Sequence, residues 1–94
     1  MKFVLVDMSA TIIHHGHIRL LKKASKIGLV IIALTIDDEI LKHKGYYPEL
    51  KFKERKEILE SIKYVYKVIP SPWKLDLDYF KTTGAEFLIH GDDN

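Results

Sequence analysis

The chain has 94 residues, 47% of them hydrophobic and 30% charged, a composition typical of a globular domain. From the scaling of surface area with chain mass, folding is expected to bury roughly 65% of the surface of the unfolded chain, which is enough for one small core. The chain has no cysteine, which excludes disulfide scaffolds and thiolate metal sites. No apolar run approaches the ~20 residues of a membrane span. Segment 1–7 is too short and too soon charged for a signal peptide, so we expect a cytoplasmic protein.

The net charge of +2 is too small to indicate nucleic acid by itself. Basic residues nevertheless concentrate between positions 42 and 56, where the acidic residues are only Glu49 and Glu54. The basic residues are Lys42, Lys44, Lys51, Lys53, Arg55 and Lys56. A basic segment in a nearly neutral chain favours a small anionic ligand over a long polyanion. We therefore expect neither nucleic acid nor a membrane as a partner.

Apolar runs alternate with helical patterns along the chain. In chain order we predict a strand at 3–6, a helix at about 15–26, a strand at 29–34, a helical turn at 37–41, a loop at 42–50, a helix at about 51–63, a strand at 65–69, a helix at 77–82 and a strand at 87–89. Uninterrupted apolar runs are typical of strands covered on both faces. The alternation predicts a three-layer α/β fold: a parallel sheet with helices on both faces. Ligands then bind beyond the carboxyl ends of the strands.

Three histidines lie where the first strand meets the first helix. On a helical wheel, His14 and His17 fall on the apolar side and His15 on the solvent side. The N-terminus of a helix favours a bound anion. Imidazole side chains can donate further hydrogen bonds to phosphate oxygens, and Gly16, which has no side chain, lets a phosphate approach the backbone closely. The pattern therefore indicates an anion site. The alternative is a pair of helix-start histidines bonded to nearby carbonyls. A zinc site lacks a convincing third ligand.

Arg55 falls in the middle of the apolar face of the predicted helix 51–63. A guanidinium on a buried stripe must be paired or must reach a pocket. The sequence therefore leaves two interpretations, a structural salt bridge or a contact with an anion or nucleotide.

The histidine segment resembles the HxGH signature of the nucleotidyltransferase superfamily, and the likeness continues along nearly the whole chain. Its further matches are 17–24 to the family's GHIxLLxxA helix, 37–39 to its TDE, Lys44-Gly45 to its lysine loop, 54–56 to its ER(K) helix and 91–93 to its GDD(W) turn. The resemblance is closest to the small cytidylyltransferases of the glycerol-3-phosphate type.

This resemblance implies a Rossmann-like sheet of the nucleotidyltransferase type. The implied reaction transfers CMP from CTP to a small phosphorylated or phosphonylated acceptor similar to glycerol 3-phosphate, and releases pyrophosphate. The residues it implies are His14, His17 and Lys44 as catalytic, Ser9, Ala10, Gly16, Arg55, Asp92 and Asp93 as nucleotide-binding, and Trp73 as acceptor-binding. It also implies Mg²⁺ that arrives with the nucleotide, without an assigned protein ligand, and a homodimer.

Simpler interpretations stand beside these implied roles. Lys44 is also explained as a solvated loop lysine, Asp92 and Asp93 as a solvated turn, and Trp73 as packing on the sheet edge. An adenylyltransferase of the same superfamily and a non-catalytic nucleotide-binding or interaction module are alternative functions.

The chain also departs from the family pattern. Met8-Ser9-Ala10-Thr11 stands where the family has Gly-Thr-Phe-Asp. Met8 is expected to crowd a phosphate, Ser9 keeps a hydroxyl, and Thr11 replaces a carboxylate. The family's later Arg-Thr-x-Gly-Ile-Ser/Thr segment has no match, so we expect one domain over 1–94 that is truncated at its C-terminus.

Overall fold

The structure is a computed structural model that describes residues 2–91. Its elements are β1 (Phe3–Met8), α1 (His15–Ser25), β2 (Leu29–Thr35), α2 (Asp37–Lys44), α3 (Phe52–Glu60), β3 (Val65–Ser71), α4 (Leu77–Thr83) and β4 (Phe87–His90). All four strands pair in parallel, in the order β3-β2-β1-β4. The predicted α/β, Rossmann-like architecture is confirmed. Across residues 2–91, every helix is too short or too polar to cross a bilayer.

The two central strands, β1 and β2, form the core because apolar residues cover both of their faces. Val4 and Val6 pack with Leu21 of α1 and Leu59 of α3 on one face of the sheet. Leu5 lies on the other face, in a cluster with residues of α4. Successive side chains of a strand point to opposite faces, so one continuous apolar run serves two helical layers.

Helix α2 is longer than the sequence predicted. We expected a short turn at 37–41 and a loop from 42, but the helix continues to Lys44 and ends at Gly45, whose φ is 82°. Acidic residues in its first turn and basic residues in its last turn complement the helix dipole. Glycine adopts the left-handed conformation without a steric penalty and ends the helix there. Lys44 therefore lies at the end of a helix, half-buried, and not in a loop.

Candidate active site

A cavity of about 530 Å³ opens at the carboxyl edge of the sheet. All four strands contribute to its lining: Asp7 from β1, Thr35 from β2, Ser71 from β3 and His90 from β4. The loop between β3 and α4 adds Trp73. This is the edge at which parallel strands of an open sheet present their ligand-binding loops.

The histidines of the β1–α1 junction form a network that caps helix α1. The Nδ1 atom of His14 accepts a hydrogen bond from the backbone N–H of Gly16 at 3.0 Å. The Nδ1 atom of His17 accepts one from the backbone N–H of His14 at 3.2 Å, and the two ring centroids are 4.3 Å apart. Because each Nδ1 accepts, the neutral imidazole carries its proton on Nε2. The cap thus fixes the tautomer that presents Nε2–H as a donor.

The predicted orientation of His14 was wrong, while those of His15 and His17 are confirmed. His17 is 5% exposed, whereas His14 and His15 are both exposed. His14 is the N-cap residue, with an extended backbone at φ −138° and ψ 178°. A helical wheel has no meaning for a residue outside the helical conformation, which explains the error. The His14 ring also occupies the space beside Gly16, where a Cβ would lie 2.7 Å from Cε1 of His14.

Arg55 is fully buried and holds the loop that precedes α1. Its Nη1 donates to the carbonyl oxygen of Ser9 at 2.6 Å, and its Nη2 donates to Oδ1 of Asp37 at 2.6 Å. Its Nε donates to the carbonyl oxygen of Leu50 at 3.1 Å. All three nitrogens therefore have protein partners, as the salt-bridge interpretation requires. The structure makes Arg55 a positioning residue for Ser9, and a direct contact with nucleotide stays a prediction.

The loop held by Arg55 contains a residue in a costly conformation. Ala10 has a φ of 49°, in the left-handed region, where a Cβ costs roughly 1–2 kcal/mol. Its side chain is 1% exposed, so buried packing maintains the conformation. Met8, which replaces the family's glycine, packs in the core cluster and lines the cavity. The loop is thus built by core contacts on both sides of Ser9.

Lys44 and Trp73 come from separate elements and lie near each other beside the cavity. The Nζ atom of Lys44 is 3.5 Å from Oγ of Ser9 and 5.8 Å from the centroid of the Trp73 ring. The backbone N–H of Trp73 donates to Oε1 of Glu39 at 2.9 Å, and its ring stacks on His43. In the sequence, Glu39 matches the family's TDE, but no role was predicted for Glu39 or for His43. Their spacing of four places them on one face of a helix, but no local signal connects that face to Trp73.

Sequence reasoning also missed a contact between the side chains of His90 and Asp7 at the cavity wall. Nδ1 of His90 lies 2.9 Å from Oδ2 of Asp7, and Oδ1 of Asp7 accepts the backbone N–H of Gly91 at 3.2 Å. The parallel register pairs Asp7 with His90 across β1 and β4. The only sequence signal is that each residue ends an apolar run. Asp92 and Asp93, predicted to contact nucleotide, follow Gly91 but lie outside the described residues.

Comparison with known proteins identifies relatives along almost the whole chain. The model of the family described as Cytidylyltransferase-like matches residues 9–94. The glycerol-3-phosphate cytidylyltransferase of Staphylococcus aureus is 38% identical over 96 aligned positions, covering 99% of this chain and 71% of that protein. The ethanolamine-phosphate cytidylyltransferase of Mus musculus is 33% identical over 92 positions, covering 96% of this chain and 22% of that protein.

One further relative and one structural neighbour extend the comparison. The FAD synthase of Pyrococcus horikoshii is 36% identical over 92 positions, covering 96% of this chain and 62% of that protein. The crystal structure of a lipopolysaccharide core biosynthesis protein from Thermoplasma volcanium superimposes with a TM-score of 0.72 at 18% identity, covering 100% of this chain and 98% of that one. This last likeness supports the fold alone.

Proposed function

This chain belongs to the cytidylyltransferase-like family, and from that premise we propose that it transfers CMP from CTP to a small phosphorylated or phosphonylated acceptor. The observation that carries the proposal is the cavity at the carboxyl edge of the sheet. Ser9 of the β1–α1 loop lines it, Nζ of Lys44 lies 3.5 Å from Oγ of Ser9, and the histidine cap of α1 follows that loop. The chain spans 22% of the mouse relative and 71% of the staphylococcal one. Because the chain spans only part of these relatives, the complete reaction is proposed on the basis of the site in this structure.

In the proposed reaction, an oxygen of the acceptor's phosphate or phosphonate attacks the α-phosphorus of CTP. One P–O bond forms, the bond between the α-phosphorus and the bridging oxygen breaks, and pyrophosphate leaves with the electron pair. No covalent enzyme intermediate is needed, so alignment and charge stabilisation are the tasks left to the protein.

The residues near the β1–α1 loop fit these tasks. In this proposal, the Nε2–H groups of His14 and His17 donate to phosphate oxygens at the start of α1. The ammonium group of Lys44 neutralises charge on the triphosphate. Arg55 acts through the Ser9 carbonyl and keeps the loop in its strained conformation.

Magnesium enters this proposal as a companion of the nucleotide. Among residues 2–91, no group of three His, Asp or Glu side chains comes together as a set of metal ligands. Mg²⁺ is commonly held by substrate phosphates and water with few protein ligands, so a nucleotide-borne ion fits a site of this kind.

The cavity favours an acceptor that carries an ammonium group, as a second candidate beside glycerol 3-phosphate. The side chain of Asp7 lines the cavity and is 24% exposed, and its partner His90 is 76% exposed, so the contact between them is open to solvent. In a site for phosphorylated substrates, the carboxylate of Asp7 can bind the ammonium group of an acceptor that carries both a phosphate and an ammonium group. Trp73 adds an aromatic surface suited to an ammonium group. The mouse relative is named for ethanolamine phosphate.

The base of the nucleotide is a separate question. One relative is named FAD synthase, and FAD contains an adenine nucleotide, which supports ATP as the alternative donor. The test measures pyrophosphate release by the wild-type chain with CTP or ATP, each with Mg²⁺, and with ethanolamine phosphate or glycerol 3-phosphate.

Release with CTP and not ATP supports cytidylyl transfer, and the reverse supports adenylyl transfer. Replacing Asp7→Asn keeps the side-chain shape and removes the charge, so it should reduce selectivity for ethanolamine phosphate over glycerol 3-phosphate. Calorimetric binding of CTP without pyrophosphate release from any acceptor would contradict the proposal and favour a non-catalytic nucleotide-binding module.

A further inference from the structure

We propose that His43 is a positioning residue that holds Trp73 against the cavity and Lys44 beside the phosphate-binding loop. Neither the family resemblance nor the proposed reaction assigns a role to His43. The effect of His43 on catalysis rests on the proposed function, whereas its effect on the position of Trp73 does not.

The first step is the geometry of the Trp73 ring. The imidazole of His43 and the indole of Trp73 are nearly parallel, with an interplanar angle of 14° and ring centroids 4.8 Å apart. Glu39 accepts the backbone N–H of Trp73 at 2.9 Å. Glu39 and His43 lie one turn apart on α2. One helix face therefore grips both the backbone and the side chain of Trp73, which fixes the ring as part of the cavity wall.

The second step concerns Lys44, the residue after His43 and the last of α2. Its Nζ lies 3.5 Å from Oγ of Ser9 and 5.8 Å from the Trp73 ring centroid. The helix ends at the next residue, Gly45. Because helix ends fray unless other contacts hold them, the stack of His43 on Trp73 helps to hold the turn from which Lys44 extends, together with the bond from the Gly45 N–H to the Leu41 carbonyl oxygen.

His43, Trp73 and Lys44 together lie between the cavity and the loop that precedes α1. On one side Trp73 faces the acceptor cavity, and on the other Lys44 lies near the loop that precedes the histidine cap. A loss of the stack should therefore affect the acceptor most and the nucleotide less. The stack needs a flat ring and not a charge, so phenylalanine should replace histidine well.

The test exploits the fact that Trp73 is the single tryptophan of the chain, so indole emission reports this site alone. We would compare wild type, His43→Ala, His43→Phe and the matched control Lys42→Ala, an exposed neighbour on the same helix. Each variant is measured for acrylamide quenching of Trp73 emission, for its urea midpoint, and for KM and kcat with CTP and ethanolamine phosphate, then with glycerol 3-phosphate.

We expect His43→Ala to increase the quenching of Trp73 and to raise the KM for the acceptor about 3- to 10-fold, with a smaller rise in the KM for CTP. His43→Phe should restore both properties, and Lys42→Ala should match wild type. Unchanged quenching in His43→Ala overturns the inference, as does an acceptor KM that stays at the wild-type value. Equal damage from His43→Phe also overturns it, because a ring would then not be what positions Trp73.

A failure of the proposed function has a different signature. In that case the wild-type chain releases no pyrophosphate with either acceptor. The quenching of Trp73 in His43→Ala and His43→Phe still shows whether His43 holds the indole. A fall in the urea midpoint without any change in quenching would indicate a purely structural contact and would overturn the inference.

Discussion

The guanidinium of Arg55 lies 2.6 Å from the carboxylate of Asp37, and this pair joins two helices to the loop ahead of α1. The other carboxylate oxygen of Asp37 accepts the backbone N–H of Phe52, at the first residue of α3, at 3.1 Å. Nη1 of Arg55 continues the network to the carbonyl of Ser9. A single carboxylate therefore caps α3 and pairs with the arginine that α3 buries.

We expect Arg55→Ala to lower the free energy of unfolding by about 3–5 kcal/mol, because it leaves Asp37 and the Ser9 carbonyl without their partner. Arg55→Lys should recover little of the loss, since an ammonium group cannot reproduce three bonds from a planar fork. Urea unfolding measures both, with the exposed Lys53→Ala on the same helix as control. A loss of less than about 1 kcal/mol in Arg55→Ala, the value of a surface pair, would contradict the structural role.

His17→Ala should lower kcat about 10²–10³-fold with little change in KM, because the lost Nε2–H donor acts mainly on charge that develops in the transition state. His15→Ala provides the matched control, as its ring is exposed and takes no part in the cap. Steady-state pyrophosphate release measures both variants. Equal damage from His15→Ala would show that the proposed assignment of donors is wrong.

Gly91→Ala should destabilise the chain and raise the KM for CTP about tenfold. A Cβ on Gly91 would lie 2.5 Å from the carbonyl oxygen of Asp7 and 3.0 Å from Cε of Met8, so the backbone of β1 or of Gly91 itself must shift. Gly84→Ala is the control, because its Cβ would meet no atom within 4 Å and costs only the left-handed strain of about 1 kcal/mol. Thermal unfolding and CTP kinetics compare them. A similar loss in both variants would mean that the close approach is relieved without consequence.

Burial raises the pKa of the Tyr79 phenol above its usual value, and a hydrogen bond with Ser71 opposes part of that shift. The unfolded chain then loses this proton first as the pH passes about 10. Between the two pKa values the unfolded state binds fewer protons than the folded state, so the free energy of unfolding falls with rising pH.

Tyr79→Phe should remove this component of the alkaline loss, and the exposed Tyr47→Phe should keep it. Urea unfolding at about pH 8 and above pH 10 measures the difference. An absorbance titration should show that Tyr79→Phe lacks a phenol that ionises above the usual range. An unchanged slope in Tyr79→Phe would contradict the prediction.

Local sequence patterns predicted the strands of the fold and the orientation of several site residues. The apolar runs located all four strands, and the phase of the helices placed Arg55 and His17 inside and His15 outside. These predictions succeed because a period of two or of 3.6 residues is set by the backbone alone. His14 and Lys44 were misplaced because they lie at helix ends, where capping contacts and not periodicity set the conformation.

The sequence by itself determined the α/β order, the family and the segments that reach the carboxyl edge of the sheet. Only the tertiary structure decided which side chains meet there. Asp7 and His90 are 83 positions apart and pair because β1 and β4 align in one register. His43 meets Trp73 because α2 packs beside the loop after β3. Such contacts depend on the register of the strands and on how the helices pack over the whole core, and a local sequence pattern does not specify either of these.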